Sequence, residues 1–96
     1  MNVEDQGDLA AARIAAAIGE PARARMLYAL MDGRARTSTE LGTIAEVSPS
    51  TASIHLQRLV AERLVAVVVQ GRYRYYNLRG KTVATVLEGL NVLSGG

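Results

Sequence analysis

The chain contains no cysteine, no tryptophan and no phenylalanine, and a single histidine, His55. Without cysteine there are no disulfides, no thiolate metal ligands and no sulfur nucleophile, and the redox state of the compartment is left unspecified. Neither sign of charge dominates, since 11 Lys and Arg stand against 9 Asp and Glu. No apolar run reaches the ~18–20 residues of a membrane span. The acidic start, with Glu4 and Asp5, is unlike a secretory leader. A soluble, cytoplasmic protein without a membrane partner is expected. Glycine forms no phosphate-binding pattern, and the only clustered carboxylates, Glu4, Asp5 and Asp8, lie at the polar N-terminus. These absences argue against an enzyme and against a cofactor.

What is present fits one small domain over residues 1–96. With 49% apolar residues the chain can build a core, although a chain this short buries only roughly 60–70% of its unfolded surface. Residues 1–7 are polar and read as a frayed end; Ser94-Gly95-Gly96 reads as a flexible one. Between Asp8, a plausible N-cap, and Gly19 lies a first helix with six alanines from Ala10 to Ala17. Such a surface lets another helix approach closely, but alanine is also simply the best helix former. Glu20-Pro21 restarts a helix whose buried stripe is Met26, Leu27, Leu30 and Met31, with Gly33 just past its end. Thr37-Ser38-Thr39-Glu40 is a capping-box pattern for a third helix over 38–45. Ser48-Pro49 opens a fourth, running to about Glu62 and burying Ala52, Leu56, Leu59 and Val60.

The period then changes. Leu64–Val69 and Tyr73–Leu78, joined by Gln70-Gly71-Arg72, read as a β-hairpin. From Lys81 to Leu93 helical spacing returns. The fold class is therefore mainly α with a β-hairpin wing: a winged helix-turn-helix in the order α-α-α-α-β-β-α.

The third and fourth helices, joined by a short turn, form the helix-turn-helix. The fourth keeps its apolar residues on one face and sets Ser50, Ser53, Ile54 and Gln57 on the other, at i, i+3, i+4 and i+7. Short hydroxyl and amide side chains suit a helix that enters the ~12 Å major groove of double-stranded DNA and bonds base edges. An ordinary solvated face would carry more Glu and Lys; this one carries none before Arg58. From Ser50 to Lys81 there are six basic residues, Arg58, Arg63, Arg72, Arg74, Arg79 and Lys81, against the single acid Glu62. The modest net charge thus hides a basic half that coincides with the fourth helix and the hairpin, as phosphate binding requires. Ser50, Thr51, Ser53, Ile54 and Gln57 are the candidate base readers, with Pro49 setting the helix start. Arg58, Arg72 and Arg74 are the candidate backbone or minor-groove contacts.

Four stretches in this order resemble the ArsR/SmtB family of winged-helix repressors. They are Ile18-Gly-Glu-Pro-Ala-Arg-Ala-Arg-Met-Leu27, Glu40-Leu41, Ser48-Pro-Ser-Thr-Ala-Ser-Ile-His-Leu56 and Gly71-Arg-Tyr-Arg-Tyr-Tyr-Asn-Leu78. The resemblance implies a homodimer joined through the first and last helices, an inverted-repeat operator, and release by an inducer. Leu9, Ala12 and Ala16 on the first helix, and Val83, Val86, Leu87 and Leu90 on the last, would form that interface. Many relatives sense metals through two cysteines near the start of the third helix, where this chain has Thr37 and Thr39, poor ligands for soft metals. Others use Asp, His and Glu on the last helix, which here offers only Glu88. No metal is therefore expected at either family site, and a small organic effector at the apolar interface stays open. His55 is read as a packing or phosphate-contacting residue.

Three local expectations depart from the family pattern. Glu46 and Arg63 stand where relatives often have glycine, so either each pays ~1–2 kcal/mol for a left-handed backbone or these turns are locally reshaped. Val65–Val69 is apolar on both strand faces, whereas a wing usually has a polar outer face. Such a strand suggests a cover, either a second segment of a longer protein or a partner. The same strand supports the alternative function, a winged-helix module that binds a protein rather than DNA.

Overall fold

The computed structural model describes residues 3–96 and gives eight elements: α1 (Val3–Gly19), α2 (Pro21–Ala29), β1 (Arg36–Thr37), α3 (Ser38–Ala45), α4 (Pro49–Ala61), β2 (Val65–Gln70), β3 (Tyr73–Leu78) and α5 (Lys81–Leu93). The three strands form one antiparallel sheet in the order β1-β3-β2. This is the winged helix-turn-helix expected from the sequence, with one strand added.

Helix boundaries follow their caps. Thr37 Oγ1 accepts the Glu40 N–H at 3.2 Å while the Glu40 carboxylate accepts the Thr37 N–H at 3.0 Å, so the capping box closes and α3 starts at Ser38. Glu20 caps α2 by accepting from the Arg23 N–H at 2.9 Å, ahead of Pro21. Ser48 Oγ accepts the Thr51 N–H at 3.2 Å and starts α4 at Pro49. At the far end of α2, Arg36 donates Nε to the Ala29 carbonyl at 3.1 Å and pairs with Asp32 at 2.9 Å, a cation set at a helix C-terminus.

Buried residues make one cluster centred on Met26, Leu27, Leu30, Leu41, Leu56, Leu59, Val65 and Leu87, drawn from α2–α5 and β2. Among the described residues no polar or charged residue is fully buried. Gly42 lets α3 and α4 cross closely: a Cβ there would stand 3.1 Å from that of Ala52. Val60 and Met31, expected inside, are only half-buried at the edge of the cluster.

Several expectations are corrected. The helix α1 continues back to Val3, so Asp8 lies within it and caps nothing, and residues 3–7 are helical rather than frayed; Met1 and Asn2 lie outside the described residues. Ser94–Gly96, expected as a loose end, makes a defined turn in which Gly95 (φ 90°) donates to Val92 and Gly96 to Asn91. The hairpin loop is two residues, Gly71-Arg72, because Gln70 pairs with Tyr73. The short β1 pairs Arg36 with Tyr76 and Thr37 with Tyr75. Leu87 is fully buried in the protomer's own core, so it is not a surface residue of α5. Of the two possibilities for Glu46 and Arg63, the backbone is left-handed at both, with φ of 58° and 59°.

Candidate nucleic-acid interface

The turn between α3 and α4 is short because α3 ends on a left-handed residue. Glu46 donates its N–H to the Thr43 carbonyl at 3.2 Å and Val47 donates to Gly42 at 3.0 Å, which reverses the chain within three residues. The end of α4 repeats the device. Arg63 donates to Val60 and Leu64 to Leu59, both at 3.0 Å, and the buried Leu64 leads directly into the wing. Two compact turns thus fix the pitch of α4 against α3 on one side and against β2 on the other.

The outward face of α4 carries Pro49, Ser50, Ser53, Ile54 and Gln57, all exposed, with Ile54 65% accessible. Thr51 is half-buried, and its hydroxyl accepts from Ser48 Oγ at 3.0 Å, which ties it to the cap. Gln57 donates through Nε2 to Ser53 Oγ at 3.4 Å. The wing brings Arg74 to the same side: Gln57, Val60 and Ala61 of α4 and Val67, Arg74 and Tyr76 of the hairpin line one open groove. Arg72 stands exposed at the hairpin tip, and Arg58 is half-buried on α4. Among the described residues none of Arg58, Arg63, Arg72, Arg74, Arg79 or Lys81 is engaged by a carboxylate. Among the described residues the carboxylates that form ion pairs with arginine, Glu62, Glu46 and Asp32, do so with Arg13, Arg25 and Arg36. The basic half of the chain is therefore free to meet phosphates.

Behind this face lies a network that the sequence reading missed. Arg23 of α2 donates Nε to the Ala17 carbonyl at 2.6 Å and Nη2 to Ala16 at 3.3 Å, capping the end of α1. Its Nη1 lies 3.2 Å from His55 Nδ1 on α4. A guanidinium can only donate, so Nδ1 accepts and the ring proton sits on Nε2, which faces Glu20 Oε2 at 3.6 Å. The Arg23 N–H holds the Glu20 carboxyl below its ordinary value. His55 is 15% exposed at its side chain and turned toward Arg23 and Glu20, which fits the packing half of its reading. Nothing in the sequence spacing signals a contact spanning 32 residues.

Away from the α4 face, α1 and α5 leave an apolar surface. Leu9 is 59% exposed, Val86 45% and Leu90 40%, with Ala12 and Ala16 also exposed and Val83 half-buried. Ala11, Ile14, Ala15, Ile18, Val86 and Leu90 line a groove between the two helices. Among the described residues no three His, Asp or Glu side chains gather as a metal site would need, and no helix is long and apolar enough to cross a membrane.

A family model described as "Bacterial regulatory protein, arsR family" matches residues 20–67, from the cap of α2 into the wing. The chain belongs to the arsR family. A curated relative from Bacillus subtilis (strain 168), an uncharacterized HTH-type transcriptional regulator YdfF, is 40% identical over 79 residues; the match covers 82% of this chain and 35% of that protein. The chain thus spans about a third of the curated relative's length. Among solved structures, NolR from Sinorhizobium fredii superposes with a TM-score of 0.86 at 25% identity, covering 100% of this chain and 96% of its own. The homodimeric winged helix-turn-helix DNA-binding domain of Mb0332 from Mycobacterium bovis gives 0.86 at 25% identity, covering 99% and 88%. This arsR-family chain has a winged helix-turn-helix fold.

Proposed function

We propose that this arsR-family regulator is a cytoplasmic repressor that binds an inverted-repeat operator as a homodimer. The observation that carries the reading is the coincidence of two features on one side of the molecule. One is the exposed, short-chained polar face of α4; the other is the set of cations on α4 and the wing that no carboxylate engages. In this reading Ser50, Ser53, Ile54 and Gln57 meet base edges in the major groove and Pro49 fixes where the helix begins. Thr51 supports the first turn. Arg58, Arg72 and Arg74 hold the flanking backbone, and Arg72 at the tip reaches farthest from the helix.

The dimer reading rests on the α1–α5 surface. Leu9, Ala12, Ala16, Val83, Val86 and Leu90 put small alanines and larger aliphatics on one surface, which a second copy would bury through a two-fold axis. The homodimeric Mb0332 domain, with the same fold, supports it. Such a dimer sets its two α4 helices about one DNA turn apart, ~34 Å. Thr37 and Thr39 at the start of α3, and Glu88 alone among the acids of α5, favour an inducer other than a metal held at the usual family sites. A small organic effector within the apolar interface is the corresponding proposal.

Selection of bound duplexes from a random library, at low and at physiological salt, tests the function. The expected result is an enriched inverted repeat that survives the higher salt. Unselective binding that vanishes with salt would refute it. That outcome favours the protein-interaction alternative, for which Val67, Val68 and Val69, exposed by 41%, 48% and 63% on β2, are the available surface.

A further inference from the structure

Ile54 is out of place on any bland account of α4. It is 65% exposed, whereas Leu56 and Leu59 of the same helix are buried and Val60 is half-buried. Its neighbours on the outward face, Ser50, Ser53 and Gln57, are all polar and exposed. It is therefore a single aliphatic point inside a hydrogen-bonding face and not part of an apolar docking patch. In the major groove only one base edge rewards such a side chain, the C5 methyl of thymine.

Gln57, one turn further along, sharpens the assignment. Its Nε2 donates to Ser53 Oγ at 3.4 Å, which turns the amide so that Oε1 and the second N–H remain free. An acceptor and a donor side by side match the N6–H and N7 of adenine. Residues three apart on a helix have Cβ atoms ~5–6 Å apart, and successive bases on one strand rise by ~3.4 Å. Ile54 and Gln57 consequently address the same base pair or adjacent ones.

We propose that Ile54 reads the methyl group of a thymine in each half-site, within one base step of an adenine held by Gln57. The proposal rests on the DNA-reading role given to α4 above and adds which base chemistry the helix prefers. Uracil presents the same hydrogen-bonding edge as thymine and lacks only the methyl, so it isolates the contact. Burial of one methyl-sized group is worth about fourfold in affinity, so replacement in both half-sites of a dimer-bound operator should weaken binding about 16-fold if the half-sites contribute independently.

The test uses a duplex selected from the random library, resynthesised with deoxyuridine replacing each thymine in turn, and titrated by fluorescence anisotropy with the wild-type chain and with Ile54→Ala. The expected result is one symmetry-related pair of thymines whose replacement costs the wild type about fourfold singly and about 16-fold together. Ile54→Ala should bind thymine and uracil duplexes alike at those positions. The residue is exposed, so the variant is expected to fold, and an unchanged circular dichroism melt would show that it has. If the wild type is indifferent to uracil everywhere, or if Ile54→Ala keeps the full sensitivity, the assignment of Ile54 is overturned while DNA binding by α4 stands. If no duplex is selected at all, the proposed function falls, and this inference falls with it.

Discussion

Replacing Glu46 by glycine should stabilise the protein, although it removes a side chain from a helix-turn-helix. Glu46 closes α3 at φ 58° and ψ 45°, a conformation that costs a residue with a Cβ roughly 1–2 kcal/mol. Glycine relieves that penalty but gives back ~0.4–1 kcal/mol through the greater freedom of the unfolded chain. The side chain has little else to lose. Among the described residues its one ion pair is with Arg25 at 4.0 Å, with the two side chains 82% and 56% exposed, and such pairs contribute little. The backbone bonds from Glu46 to Thr43 and from Val47 to Gly42 involve main-chain atoms only and persist in the variant. The net gain is ~0.5–1 kcal/mol, which for a domain near this size raises Tm by ~2–8 °C. Thermal melts of Glu46→Gly and Glu46→Ala at one protein concentration provide the assay, since the proposed dimer would make Tm concentration-dependent. Alanine keeps the Cβ and should give no comparable gain. A lowered Tm for the glycine variant, or an equal rise for the alanine variant, would refute the strain argument.

Arg23→Met removes the donors that serve the Ala16 and Ala17 carbonyls and His55; denaturant unfolding should show a loss of ~1–3 kcal/mol, against little change for Arg25→Met, whose side chain is 56% exposed and pairs only with the exposed Glu46 at 4.0 Å. Glu20, Asp32 and Glu40 all have carboxyls held below their ordinary values, chiefly by the N–H groups of Arg23, Arg34 and Thr37. Depressed folded-state values mean that their stabilisation is complete above the ordinary values of 3.8–4.5 and is lost as pH falls below them. An acid titration of stability should therefore fall less steeply in that range for Glu40→Gln than for the wild type, from a lower plateau at neutral pH. Arg72→Ala should weaken binding to all duplexes alike and reduce the salt slope by about 1 per protomer; an unchanged slope would remove the wing tip from the interface. Val86→Glu combined with Leu90→Glu, at side chains 45% and 40% exposed, should yield a folded monomer by sedimentation, because a buried unpaired carboxylate at an interface is costly.

How far the sequence disclosed this molecule depended on whether a feature was local. The start of α3 is legible because Thr37 and Glu40 satisfy each other across four residues, and that of α4 because Ser48-Pro49 is itself the cap. The left-handed turns at Glu46 and Arg63 were legible only through the family pattern, since neither residue type asks for that conformation. The start of α1 was misplaced because Gly7-Asp8 looks like a boundary. One interior glycine costs only ~1 kcal/mol against alanine, and an alanine-rich helix propagates through it. The strand β1 is two residues long and exists only through pairing with β3, which leaves no periodic trace. Leu87 shares one helical stripe with Val83, Val86 and Leu90, and spacing alone does not separate the residue that faces its own core from those that face outward. The outward face of α4 was legible as a pattern of side-chain types, whereas the Arg23–His55 link that braces it joins residues far apart in sequence.

Hydroxyl-radical footprinting of a selected duplex tests the central claim, that two copies of α4 and the wing grip DNA as a symmetric pair. The account predicts two protected segments related by a two-fold axis, with centres about one helical turn apart, ~34 Å, and protection at the outer flanks that disappears in Arg72→Ala. A single unsymmetric patch, or protection that ignores the selected sequence, would contradict it.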